Sequence, residues 1–142
     1  MKRLVHCLAV VALVAACDQP MSGSGAPPVV LGGAWEYDAV QTSPVAAVLT
    51  GTLDVTGQQG ADFEGTLEAT ETEGQGGVRQ LAGPVSGRAL DAATVDFDAY
   101  FGLSGRRHLG TVTADTIRGA WVEIAGAEAS SGSFVAVRRT QP

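Results

Sequence analysis

The sequence predicts an all-β domain of about eight antiparallel strands, wound up and down into a closed barrel behind an export signal and a tether. Three observations carry this. Apolar and polar residues alternate with period two through most of the chain after residue 33, the pattern of strands with one buried face. The links between these runs are short and hold turn residues, as in EGQGG, RALDA, LSG and GAEASSG. The phrase apolar-x-Gly-x-apolar recurs as LTGTL, FEGTL, LAGPV and IRGAW, centred on Gly51, Gly65, Gly83 and Gly119. Glycine weakens a strand centre unless the sheet coils sharply or another backbone comes close, so the phrase points to a strongly curved sheet.

The first segment lies outside the fold. The chain opens MKR and continues LVHCLAVVALVAA, a short positive stretch before an apolar one, as in export signals. The apolar run is shorter than the roughly 20 residues that cross a bilayer as a helix. It ends Val14-Ala15-Ala16-Cys17, which resembles the lipobox of bacterial lipoproteins. The resemblance implies that residues 1–16 are removed and that Cys17, as the new first residue, is acylated. Two or three acyl chains anchor firmly, because each buried methylene contributes about 0.8 kcal/mol. The other reading is an ordinary signal with Cys17 as a free thiol. Asp18 resembles an inner-membrane retention signal, implying the periplasmic face of the inner membrane; without that signal the destination is the outer membrane.

Cys7 falls inside the signal, so the mature chain has no intramolecular disulfide and its core is stable without one. Removing residues 1–16 takes away Lys2 and Arg3 and no acids, which moves the net charge from −6 to −8. No lysine remains, which excludes nucleic acid as a partner and a basic patch on anionic lipid. From Asp18 to Gly33 the chain reads DQPMSGSGAPPVVLGG, a flexible linker by composition. Residues 17–33 are thus the lipid-anchored linker and residues 34–142 the barrel domain, enough for a single core.

Within the domain, strands are expected at 34–40, 46–56, 61–71, 78–87, 93–101, 106–114, 116–125 and 131–139. The second and third are the clearest: Leu49, Gly51, Leu53 and Val55 alternate with Thr50, Thr52 and Asp54, and Phe63, Gly65, Leu67 and Ala69 alternate with Glu64, Thr66 and Glu68 after a glycine-bearing turn. They form a hairpin. A membrane barrel shares the alternation with its apolar face outward. Glycines among the apolar positions, aromatics that form no two girdles and an existing lipid anchor favour the water-soluble form.

Gly33-Ala34-Trp35 on the first strand, with Arg138 or Arg139 near the end of the last, resembles the calycin barrels, which include lipocalins and avidin-like proteins. The resemblance implies that Trp35 packs at one end of a lipocalin-like barrel under a basic side chain, carried here by Arg138. A cation over an indole contributes about 0.5–2 kcal/mol. Gly119-Ala120-Trp121 repeats the G-x-W phrase, and Asp98-Ala99-Tyr100 is only a loose echo of the aspartate motif of lipocalins, so no ligand specificity is carried over.

Residues for catalysis are sparse. His108, in RRHLG, is the one histidine of the mature chain and reads as a solvated turn residue; Ser104 lies four residues earlier across a glycine-containing turn, a separation that sets no catalytic geometry. One histidine and an acylated cysteine cannot build a zinc site. Asp91, Asp96 and Asp98 could offer oxygens to calcium but read as an outer face, and Glu64, Glu68, Glu71 and Glu73 read as a solvated acidic face. The sequence therefore calls for no enzyme, no metal and no cofactor. Two expectations remain. One is an envelope barrel that binds a small apolar molecule or lipid, with Trp35, Tyr37, Phe97 and Trp121 lining or flooring the cavity. The other is a filled barrel that serves as a structural or protein-interaction module of the envelope.

Overall fold

The structure, a computed structural model, describes residues 29–127 and 129–140. The signal, Cys17 and the linker up to residue 28 lie outside the described residues. Eight strands follow one another: β1 (Gly33–Ser43), β2 (Ala47–Gln59), β3 (Asp62–Glu73), β4 (Val78–Ala89), β5 (Thr94–Phe101), β6 (Ser104–Thr113), β7 (Thr116–Ala125) and β8 (Ser131–Arg138). Each pairs antiparallel with its neighbours in sequence, and β1 pairs with β8, so the sheet is a closed up-and-down barrel. Among the described residues no strand edge is left to pair with another chain.

Because every link joins adjacent strands, the links separate into two ends. One end holds links 60–61, 90–93 and 114–115 and the approach to β1. The other, the mouth, holds links 44–46, 74–77, 102–103 and 126–130. Strands overrun the sequence expectation where the turn is tight. Phe101 pairs with Ser104 across a two-residue link with Gly102 at φ 65°, so β6 begins at Ser104 rather than at 106.

The four glycine centres have a steric cause. A Cβ at Gly83 would lie 1.7 Å from the Tyr100 carbonyl oxygen, and one at Gly51 would lie 1.9 Å from that of Glu68. Gly65 and Gly119 meet a neighbouring strand's carbonyl in the same way. The barrel coils most tightly at these inward positions, and only hydrogen fits there. The core lies inside, with Leu49, Leu53, Leu67, Val85, Val95 and Ile117 buried among the aromatic rings. The outer wall exposes Glu36, Asp38, Glu64, Glu68, Arg107 and Arg118, together with the apolar Val40, Val48, Leu109, Val122 and Val137.

The linker ends earlier than its composition suggests. Leu31 is buried in the core, its N–H donates to Gln58 Oε1 at 2.8 Å, and Gln58 Nε2 donates to the Val29 carbonyl at 2.8 Å. Residues 29–32 are therefore a strap across the barrel end and not free tether. The short run Val29-Val30-Leu31 between prolines and glycines carries too little pattern to reveal this.

Candidate functional site

Three layers stack between the strapped end and the mouth. In the first, Trp35 lies under Arg138, whose guanidinium carbon is 4.1 Å from the centre of the indole ring. Trp35 Nε1 donates to the Leu31 carbonyl at 2.9 Å, while Arg138 donates to the carbonyls of Gly32 at 2.5 Å and Val30 at 2.7 Å. Arg138 Nε also lies 3.2 Å from Asp115 Oδ1. The cation thus covers the ring and fastens the strap, and this end is shut.

The middle layer is filled with rings. Phe97 stacks on His108 at 4.4 Å, and Phe134 meets His108 edge-on at 5.1 Å. Phe63 packs on Phe97 and Tyr37 on Phe134, each pair at 6.0 Å. His108 is fully buried, contrary to its reading as a solvated turn residue. Its Nδ1–H donates to the Arg106 carbonyl at 3.2 Å, so Nε2 accepts from the Tyr37 hydroxyl at 3.0 Å. Burial, aided by the nearby Arg106 charge, pushes its pKa down to about 3, and burial pushes that of Tyr37 well above the ordinary phenol value. The imidazole is neutral and fully hydrogen-bonded, which makes it a core polar group. Ser104 donates to Glu123 Oε1 at 3.0 Å rather than to His108, so the two form no nucleophile and base pair.

The third layer carries charge. Glu71 is buried, contrary to its reading as part of a solvated acidic face. Its Oε1 accepts from Arg79 Nη2 at 2.8 Å and its Oε2 from Arg106 Nη2 at 2.7 Å. Arg106 is also buried, 4.3 Å from the Trp121 ring centre. The signal for Glu71 is parity: it shares the odd-numbered inward face of β3 with Phe63, Leu67 and Ala69, whereas Glu64 and Glu68 face out. A buried carboxylate needs such pairing, because desolvating a charge costs several kcal/mol.

Above this layer the mouth opens into a cup of about 320 Å³, floored by Glu71 with Arg79 beside it and lined by Val45, Leu103, Ser104, Glu123, Ala127 and Ser130. Glu123 also accepts from Ser130. All four mouth links, or the strand ends beside them, contribute to the cup. A larger groove of about 740 Å³ runs past Asp62, Arg88, Asp96, Asp98 and Arg107 and is also lined by Gly87 and the core rings of Phe63 and Phe97. Most of its charges pair, with Arg107 in a two-point contact to Asp98 at 2.9 and 3.1 Å and Arg88 3.4 Å from Asp62, while Asp96 Oδ1 has no hydrogen-bond partner. The cup, which reaches a buried charged floor, is the stronger candidate.

Of the residues expected to line a cavity, Trp35 belongs to the shut end, Tyr37 and Phe97 to the filled middle, and Trp121 to the layer under the cup floor; none lines the cup, and Phe97 alone of the four lines the larger groove. Asp91 Oδ1 accepts from the N–H groups of Ala93 and Thr94, both at 2.7 Å, which closes the turn before β5. Among the described residues no group of three or more His, Cys, Asp or Glu side chains is placed to hold a metal.

The chain is similar in fold to designed β-barrels and to a phycobiliprotein lyase. It superposes on EF1p2_mFAP2b bound to DFHBI with a TM-score of 0.62 and 14% identity, over 77% of this chain and 94% of that one. A de novo designed fluorescence-activating β-barrel gives 0.55 and 16%, over 77% and 94%. The S-type phycobiliprotein lyase CPES from Guillardia theta gives 0.52 and 7%, over 78% and 89%. No protein-family model and no curated protein matches the chain. At these identities the likeness shows the barrel fold.

Proposed function

We propose that the protein is a lipid-anchored envelope barrel that binds a small molecule in its mouth and not in its interior. One observation carries the reading: an open cup of about 320 Å³ ends on a buried ion pair, directly above an interior already occupied by rings. The volume is at the lower end for small-molecule sites. The expected apolar guest becomes a molecule with a polar head, because the floor is charged while the rim exposes Val45, Val78 and Leu103. The barrel neighbours support a binding role, and the sparse chemistry of the mature chain supports one without catalysis.

The anchor is part of the same proposal. Acylated at Cys17 and tethered to the strapped end, the barrel would present its mouth away from the bilayer. Labelled palmitate should enter the full-length protein in a Gram-negative host, and Cys17→Ser should abolish both labelling and membrane association; labelling that survives the substitution would overturn the anchor.

The binding role is tested by native mass spectrometry of protein prepared without detergent. A small-molecule adduct released on denaturation is expected. A bare chain mass would favour the second reading, a filled barrel that acts through protein contacts, for which the packed rings around His108 already speak.

A further inference from the structure

Arg106 is the least satisfied group in the barrel. Its Nη2 donates to Glu71, but Nε and Nη1 have no acceptor although the side chain is buried. Trp121 Nε1, on the ring that stacks against this guanidinium, also lacks a partner and is buried. Beneath the cup, three buried donor nitrogens on these two stacked side chains therefore lack an acceptor. A buried donor left unpaired is costly, and a charged one more so, so such a cluster calls for an oxygen ligand or water.

The position links this cluster to the cup. Arg106 is bonded to Glu71, which floors the cup; it follows Ser104 by two residues on the same face of β6, and it pairs in register with Glu123. The unpaired donors select the ligand, because Arg106 Nε and Nη1 and Trp121 Nε1 call for an oxygen acceptor. Arg79 and Arg106 face three carboxylates, Glu71, Glu73 and Glu123, so the charged groups at the cup sum to one negative charge, which disfavours a multiply charged anion.

We propose that the cup takes a small amphiphile with one carboxylate, which enters head first to meet Arg106 and the Trp121 N–H while its apolar part rests against Val45 and Leu103. The proposal rests on the mouth as the binding site. Glu71 is then a resident counter-ion that competes with the ligand for Arg106, and Arg79, largely exposed, can follow it outward. Glu71 and Arg106 thus have opposite roles in binding.

The test is titration of decanoate, decanol and decyltrimethylammonium, below micelle formation, into the chain from residue 18 onward, which contains the whole closed barrel. Heat and tryptophan fluorescence are followed. Decanoate should bind at least about tenfold more tightly than the other two, as expected for charge-assisted hydrogen bonds. Arg106→Gln should weaken it by about tenfold or more, Glu71→Gln should tighten it, and Trp121→Phe, which keeps the ring and loses the donor, should weaken it several-fold. Circular dichroism confirms that each variant is folded, and Trp121→Phe carries the test if Arg106→Gln is not. Equal binding of decanol, or decanoate binding unchanged in both Arg106→Gln and Trp121→Phe, overturns the carboxylate assignment but leaves the mouth as a site. Binding of decyltrimethylammonium that Glu71→Gln abolishes also overturns it, in favour of a cation. No binding of any probe, together with a bare native mass, overturns the mouth reading itself.

Discussion

Arg106 Nη2 donates to Glu71 Oε2 at 2.7 Å, and both side chains are 2% exposed. The pair closes the barrel beneath its mouth, and Arg79 joins it from the solvent side. Arg106→Met should lower unfolding free energy by about 3 kcal/mol, because Glu71 stays buried with one partner. The Glu71→Met/Arg106→Met double variant should return to within about 1 kcal/mol of the parent, because the second substitution removes the stranded charge. Urea denaturation of Arg106→Met, Glu71→Met and the double variant checks this. A double variant as unstable as the sum of the singles would mean the two side chains act separately.

His108 makes stability depend on pH. Its folded pKa, about 3, lies below the ordinary value of 6.5, so the unfolded chain takes up a proton first as pH falls. The folded state is favoured fully above pH 6.5 and loses ground steadily down to about pH 3. Between pH 6.5 and 5, before most carboxylates titrate, the loss should be about 2 kcal/mol. His108→Gln should flatten this part of the profile in denaturant melts at fixed ionic strength.

Gly83→Ala should destabilise by about 3 kcal/mol or more, because the added methyl meets the Tyr100 carbonyl, which cannot swing aside as a side chain would. Gly74→Ala, in a link with nothing near, is the control and should change stability by less than about 0.5 kcal/mol. Thermal melts of the two variants distinguish a steric requirement from a general effect of replacing glycine.

Arg138→Ala removes the cation over Trp35 and two hydrogen bonds to the strap, so it should cost about 2 kcal/mol. The effect should be local as well as global. Amide exchange should speed most at residues 29–33, which Arg138 and Gln58 hold to the barrel end.

The eight strands were legible because period two survives in nearly every one, and the inward glycines stood out because they break strand propensity at regular places. The polar interior was harder to read. In β6 the alternation is reversed, with His108 inside and Leu109 on the outer wall, so polarity points to the wrong face. Glu71 was readable by counting from Phe63 in twos, but grouping it with its acidic neighbours hid it. The cup was not legible, since it depends on four links that come together only when the barrel closes. Whether a barrel is hollow depends on how its rings interlock, and the sequence shows only that they face inward.

The central claim is that a small molecule occupies the mouth and not the interior. The most direct measurement compares native masses of the detergent-free parent and an Ala127→Trp variant, in which an exposed cup-lining residue becomes a plug. The account predicts an adduct on the parent that is lost from the folded variant. An adduct equally retained by Ala127→Trp would place the guest elsewhere and contradict it.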